Sequence, residues 1–130
     1  MLVYADTSAL VKLILLEAES SALQAWYEQF QVRTVTCELT RTELRRAVRR
    51  QNMQFESEVE ATFEKIGFIP LDHSVYDEAG EMSPIELCSL DAIHLTAARL
   101  VKSQIAGMLT YDDRLAEAAR AIGIRTFSPA

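Results

Sequence analysis

Leu2-Val3-Tyr4-Ala5 runs directly into Asp6-Thr7-Ser8, and this junction constrains the fold more than any other stretch. Four consecutive apolar residues read as a strand covered on both faces, the pattern of a parallel sheet. Asp6, Thr7 and Ser8 are each suited to cap a helix that starts at once. In an open α/β sheet, ligands bind at the carboxyl ends of the strands. A carboxylate there reads as the first of a group of acids gathered around a divalent cation.

The same alternation recurs along the chain. Arg33–Cys37, Phe68–Leu71, Ala106–Thr110 and Ile124–Phe127 read as further strands, with Pro70 placing the third at a sheet edge. Between them, Ala9–Leu16 is apolar nearly all round, and Leu23, Trp26, Tyr27 and Phe30 form one helical stripe. Thr40-Arg41-Thr42-Glu43 fits a capping box opening a helix to Gln51. Phe55, Val59, Phe63 and Ile66 mark the next helix, with Gly67 suited to end it. Ser74 is suited to cap a helix carrying Val75, Ala79 and Met82. Ser89 is suited to cap one with Leu90, Ile93, Ala97, Leu100 and Val101 on its inner side. Asp112 or Asp113 starts the last helix, which Gly123 ends. The order implies one α/β domain over residues 1–130, with a parallel sheet and right-handed crossovers.

Bulk properties narrow the class. Hydrophobic residues at 49% with 25% charged match an ordinary soluble globular domain. Two cysteines, Cys37 and Cys88, are too few for a disulfide framework and match no zinc spacing. The apolar run at residues 9–16 lacks a preceding basic region and is too short to span a bilayer. The expectation is a cytoplasmic protein with reduced thiols and no membrane partner.

Asp6, Glu43 and Asp112 each fall at or just after the carboxyl end of a predicted strand. Asp91 falls in the first turn of the helix that begins at Ser89. Singly, each has a plain explanation as a cap or a helix-dipole partner. Together at one sheet edge they repel, since two carboxylates about 4 Å apart cost about 4 kcal/mol at an effective dielectric near 20. A cation relieves that repulsion, and an all-oxygen donor set favours Mg²⁺ or Mn²⁺ over zinc. Ser8 and Thr110, at the same edge, would orient a carboxylate or a phosphate, or merely cap. Asp113 reads as a solvated neighbour able to exchange roles with Asp112, and Asp72 as a turn or cap residue. His94, one turn beyond Asp91, reads as a packing residue before a ligand.

The formal net charge is −6, yet Arg41–Arg50 holds five arginines against one acid, a local +4 beside −10 elsewhere. Arg41, Arg45, Arg46 and Arg49 are therefore candidates for phosphate contact next to the acidic centre.

Four segments carry a family resemblance: Ala5-Asp6-Thr7-Ser8-Ala9, Leu39-Thr40-Arg41-Thr42-Glu43-Leu44, Ser89-Leu90-Asp91-Ala92-Ile93-His94-Leu95 and Leu109-Thr110-Tyr111-Asp112-Asp113-Arg114-Leu115. In order and spacing the chain resembles the PIN-domain nucleases, and among them the VapC-type toxins of bacterial toxin–antitoxin pairs. The resemblance implies a three-layer α/β/α sandwich with a short parallel sheet. It also implies an acidic metal-binding quartet of Asp6, Glu43, Asp91 and Asp112, with Ser8 and Thr110 at supporting hydroxyl positions. Such proteins cleave RNA with Mg²⁺ or Mn²⁺, usually as homodimers, and are inhibited by a small cognate antitoxin. Asp6 and Asp91 would hold the first ion, with water attacking phosphorus in line and leaving a 5′-phosphate.

Other readings fit less well. A phospho-receiver domain wants a lysine after the fifth strand, and residues 124–130 contain none. A haloacid-dehalogenase-like phosphatase wants a second Asp two residues after Asp6, where Ser8 stands. A PIN-like module that grips RNA or protein without cutting remains the non-enzymatic alternative. The apolar first helix, with Trp26, Tyr27 and Phe30, is expected to supply part of a dimer or antitoxin interface, against ordinary core packing.

Overall fold

Leu2–Ala5 forms strand β1 at the middle of a five-stranded parallel sheet. Its neighbours are β2 (Arg33–Cys37) and β4 (Gly107–Leu109), with β3 (Gly67–Ile69) and β5 (Thr126–Phe127) at the edges. Val3 pairs with Thr34 on one side and Gly107 on the other. These relations come from a computed structural model that describes residues 1–130.

Alternation along β1 builds the three layers. Val3 and Ala5 face a core shared with α1 (Thr7–Ile14), α2 (Ser20–Phe30), α3 (Leu39–Gln51) and α4 (Glu56–Lys65), where Leu10, Leu23, Leu44 and Val59 are buried. Tyr4 faces the opposite core, under α5 (His73–Gly80), α6 (Ser89–Leu100) and α7 (Asp113–Ala121), with Leu95, Met108 and Leu115. With both faces of the central strands covered, the apolar run before Asp6 follows directly. No helix is long and apolar enough to cross a membrane.

Several local expectations change. Thr40 does not cap α3: that helix starts at Leu39 after Glu38, and the Thr40 hydroxyl lies 2.6 Å from that of Thr36. The Glu43 carboxylate is thereby released from any capping role. Gly67 opens β3, because the chain at Ile66 is already extended. Asp72, not Ser74, caps α5, accepting from Val75 N–H at 3.2 Å, while Ser74 donates to Asp72. Cys88, not Ser89, precedes α6. The buried face of α6 is Ala92, His94, Leu95, Thr96, Ala97 and Ala98, whereas Leu90 and Leu100 are exposed. The helix is clamped between α5, α7 and β2, so its inner face is set by small residues that permit close approach.

Much of the apolar surface on the first two helices goes inward. Trp26 stacks on Phe127 with ring centres 5.2 Å apart, and the Tyr27 hydroxyl meets that of Thr34 at 2.8 Å. Leu13, Leu16 and Phe30 stay exposed.

Gly107 allows β4 and β5 to approach. A Cβ there would stand 2.4 Å from the Arg125 carbonyl oxygen and 2.8 Å from the Phe127 ring. Gly107→Ala is expected to cost about 1–3 kcal/mol through this overpacking. In urea melts the midpoint falls while the slope holds; an unshifted midpoint would show that β5 moves aside freely.

Candidate metal centre

Asp6 stands where β1 gives way to α1, and its side chain caps that helix by accepting from Ala9 N–H at 3.3 Å. Both carboxylate oxygens also accept from hydroxyls, Oδ1 from Ser8 at 2.7 Å and Oδ2 from Thr110 at 2.9 Å. Each hydroxyl is held in turn by the loop after β4. Tyr111 N–H donates to Ser8 Oγ at 2.9 Å, and Asp112 N–H to Thr110 Oγ1 at 3.1 Å. Asp6 is only 4% exposed. Burial pushes its carboxyl above the usual range against the pull of Ser8, His94, Thr110 and Ala9.

Glu43, in the second turn of α3, accepts two hydrogen bonds on the same oxygen. Thr7 Oγ1 donates to Oε1 at 3.0 Å, and His94 Nε2 meets it at 2.5 Å. Burial raises this carboxyl, but the hydrogen bond and charge of His94, with Thr7, outweigh it and hold Glu43 below the usual range. His94 is itself buried, with Nδ1 2.7 Å from the Tyr4 hydroxyl and 3.7 Å from Cys37 Sγ. Burial pushes the imidazole down, yet its bonds to Cys37 and Glu43 and their charges prevail, raising it to about 10.

Asp91, in the first turn of α6, accepts from the Cys88 thiol at 3.1 Å. Its carboxyl is raised by burial and, against the Cys88 hydrogen bond, by the negative charges of Asp112 and Glu43. The three acids therefore share one field although they come from α3, α6 and the start of α7. Asp112 caps α7, accepting from Arg114 and Leu115 N–H at 2.9 and 3.1 Å. Asp113 is exposed beyond it, which leaves Asp112 as the inward member of the pair.

These donors fit a hard divalent ion. They are all oxygens, and their mutual repulsion is of the kind a cation relieves. No three Asp, Glu, His or Cys side chains already stand at the spacing of a closed cage.

The α3 arginines divide by partner. Arg41 stacks on Phe68 at 4.1 Å, Arg45 pairs with Glu60 at 2.5 Å, and Arg49 with Glu56 at 3.6 Å. Arg46 and Arg50 are exposed with no acid within ion-pair distance. All five, with Thr42 and Met53, line one open cleft of about 730 Å³. The local +4 is thus partly offset by acids of α4, which sequence reasoning left out.

Sequence reasoning also missed Thr7 and the part played by His94. The available signals were a buried phenol in β1 needing a partner and a histidine one turn after Asp91.

Comparison with known proteins bears on the family and the fold. The PIN domain family model matches residues 3–121. Ribonuclease VapC35 of Mycobacterium tuberculosis is 36% identical over 131 residues, covering 98% of this chain and 97% of that protein. Among solved structures, M. tuberculosis VapC20, described as a Sarcin-Ricin loop cleaving toxin, superposes with a TM-score of 0.77 at 16% identity, over 98% of this chain and 99% of that one. VapBC2 from Rickettsia felis, bound to a DNA fragment from its promoter, gives 0.73 at 12% identity over 100% of both chains. At such identities the two structures speak for the fold.

Proposed function

The chain belongs to the PIN-domain family, and on that premise we propose that it is a Mg²⁺- or Mn²⁺-dependent endoribonuclease, the toxin of a VapBC-type pair. The observation that carries this reading is Asp6, buried at the sheet edge with both carboxylate oxygens held by Ser8 and Thr110, next to Asp91, whose carboxyl is raised first by burial and then by the charges of Asp112 and Glu43. Asp6, Glu43, Asp91 and Asp112 would hold the ion. When bound, such an ion polarises a phosphodiester and lowers the pKa of the attacking water.

The chain's own groups do the rest. Ser8 and Thr110 fix both oxygens of Asp6, so its carboxylate cannot rotate away from the edge. Thr7 and His94 do the same for one oxygen of Glu43. No serine, cysteine or histidine nucleophile is needed, and His94 is too enclosed to serve as one. The 3′-oxygen leaves and the 5′-phosphate stays with the downstream product. Cleavage of RNA in Mg²⁺ or Mn²⁺, abolished by EDTA and yielding 5′-phosphate ends, is the direct test. Cleavage that persists in EDTA, or cyclic phosphate ends, overturns this reading. Metal-independent binding of RNA with no cleavage points to a non-cutting module.

RNA phosphates would run along the α3 cleft. Arg46 and Arg50, free of acid partners, are expected to contribute most, ahead of Arg41, Arg45 and Arg49. Arg46→Ala with Arg50→Ala is expected to weaken RNA binding and reduce its salt slope by about 1.4, roughly 0.7 per lost single-strand phosphate contact. Filter binding across a salt series checks this, and an unchanged slope removes both residues from the RNA path. A cytoplasmic location, a homodimer and a cognate antitoxin complete the reading. Leu16, in the loop after α1, and Phe30, at the end of α2, are 90% and 45% exposed and support an interface at that end of the first two helices.

A further inference from the structure

Glu43 and His94 come from different helices on opposite faces of the sheet, yet they meet at its carboxyl edge. Both hydrogen bonds to Glu43 fall on Oε1, from Thr7 and from His94, and none falls on Oε2. An ionised carboxylate only accepts, so Nε2 is the donor. The other ring nitrogen is committed as well, 2.7 Å from the Tyr4 hydroxyl on the central strand. The Tyr4 and His94 rings meet edge to face with centres 5.9 Å apart. Tyr4 and His94 are 0% and 1% exposed, so neither has solvent to turn into. Both ring nitrogens of His94 are thus held, one by an acid at the ligand edge and the other by a phenol in the sheet.

We propose that His94, braced by Tyr4, is a positioning residue: it fixes Oε1 of Glu43 so that Oε2 alone is presented to the cation. The inference rests on the metal-dependent reading above and adds to it a residue outside the acidic quartet. The strut runs from β1 through α6 to α3, so Glu43 is aimed by the sheet and not only by its own helix. Ligand-orienting contacts of this kind change metal affinity or activity by about 10–100-fold when removed.

The test separates aiming from packing. Glutamine carries an N–H close to the place of Nε2, and asparagine close to that of Nδ1. Full-length wild type, His94→Gln, His94→Asn and Tyr4→Phe are compared by calorimetry with Mn²⁺ alone and by RNA cleavage across Mn²⁺ concentrations. His94→Gln keeps the donor to Glu43 but not the Tyr4 brace, so its loss of Mn²⁺ affinity is expected to match that of Tyr4→Phe, while His94→Asn loses more, about 10–100-fold. The loss appears in kcat at fixed Mn²⁺, with KM for RNA unchanged. In a Glu43→Gln background the two His94 variants become indistinguishable, as coupled residues must. Equal losses in His94→Gln and His94→Asn, or none in either, overturn the proposal. If His94→Asn does not fold, Tyr4→Phe decides: it keeps the ring and removes the brace, so Mn²⁺ affinity falls about three- to tenfold, and an unchanged affinity overturns the proposal. A wild type that neither takes up Mn²⁺ nor cleaves RNA sinks the proposed function and this role together. A wild type that does both, beside unaffected variants, sinks this role alone.

Discussion

Asp6→Asn is expected to abolish RNA cleavage while leaving the fold as stable as before, or more so. The loss follows from the proposed role of Asp6 as a buried, charged ligand to the ion. Cation stabilisation of a phosphoryl transition state amounts to several kcal/mol, so cleavage falls about a thousandfold or more. The stability side follows from what the amide retains. Its oxygen still accepts from Ser8 and from Ala9 N–H, asparagine caps helices as well as aspartate does, and the Thr110 hydroxyl can turn to accept from the new amino group. The burial that now pushes the Asp6 carboxyl upward penalises only the charged form. Relief of that penalty raises Tm, by about 3–4 °C for each kcal/mol recovered. Thermal melts beside a cleavage assay check both halves. Retained cleavage would remove Asp6 from the metal centre, and a Tm drop of several degrees would make its carboxylate a structural necessity instead.

Mn²⁺ itself is expected to stabilise the wild type. An ion that binds only the folded chain adds about 2.7 kcal/mol at one hundred times its Kd. For a chain of this size that corresponds to roughly 8–10 °C. An ion held at Asp91 would offset both the burial of its carboxylate and the nearby charges of Asp112 and Glu43. EDTA should reverse it, and Asp6→Asn or Asp91→Asn should shrink it. A melting curve that Mg²⁺ and Mn²⁺ leave in place would mean the four acids tolerate one another without a cation, and the functional reading would fail with that result.

The frame of this fold is legible in short apolar runs. β1 and β2 fall where their sequence places them, because strands of a covered parallel sheet must be apolar or β-branched throughout. The acids are legible for a related reason: helices following parallel strands start at one edge, so a polar residue just after a strand declares its position. What stays hidden depends on contacts between distant segments. Thr40 and Glu43 match a capping box by spacing, but β2 delivers the chain into α3 two residues early, and Thr36 and His94 claim the two side chains. Leu90 and Leu100 match an inner helical face, yet α6 is enclosed by neighbours on a face of small residues. The ion pairs from Arg45 and Arg49 to α4 are likewise invisible to a count of charges along one segment. Spacing reports which residues share a face, and only packing reports which face wins.

The position of β1 has a consequence during synthesis. The strand that carries Asp6 is made first, but its partner β4, whose Leu109 carbonyl accepts from Asp6 N–H, is made about a hundred residues later. At about 5–20 residues per second that interval lasts roughly 5–20 s. Until it ends, Thr110 and Asp112 do not exist and Asp6 has no fixed orientation. Under the proposed function, a nascent chain that still lacks this segment is unarmed toward the RNA around it. The proposed centre closes only once the segment holding Thr110 and Asp112 has been made and packed against Asp6.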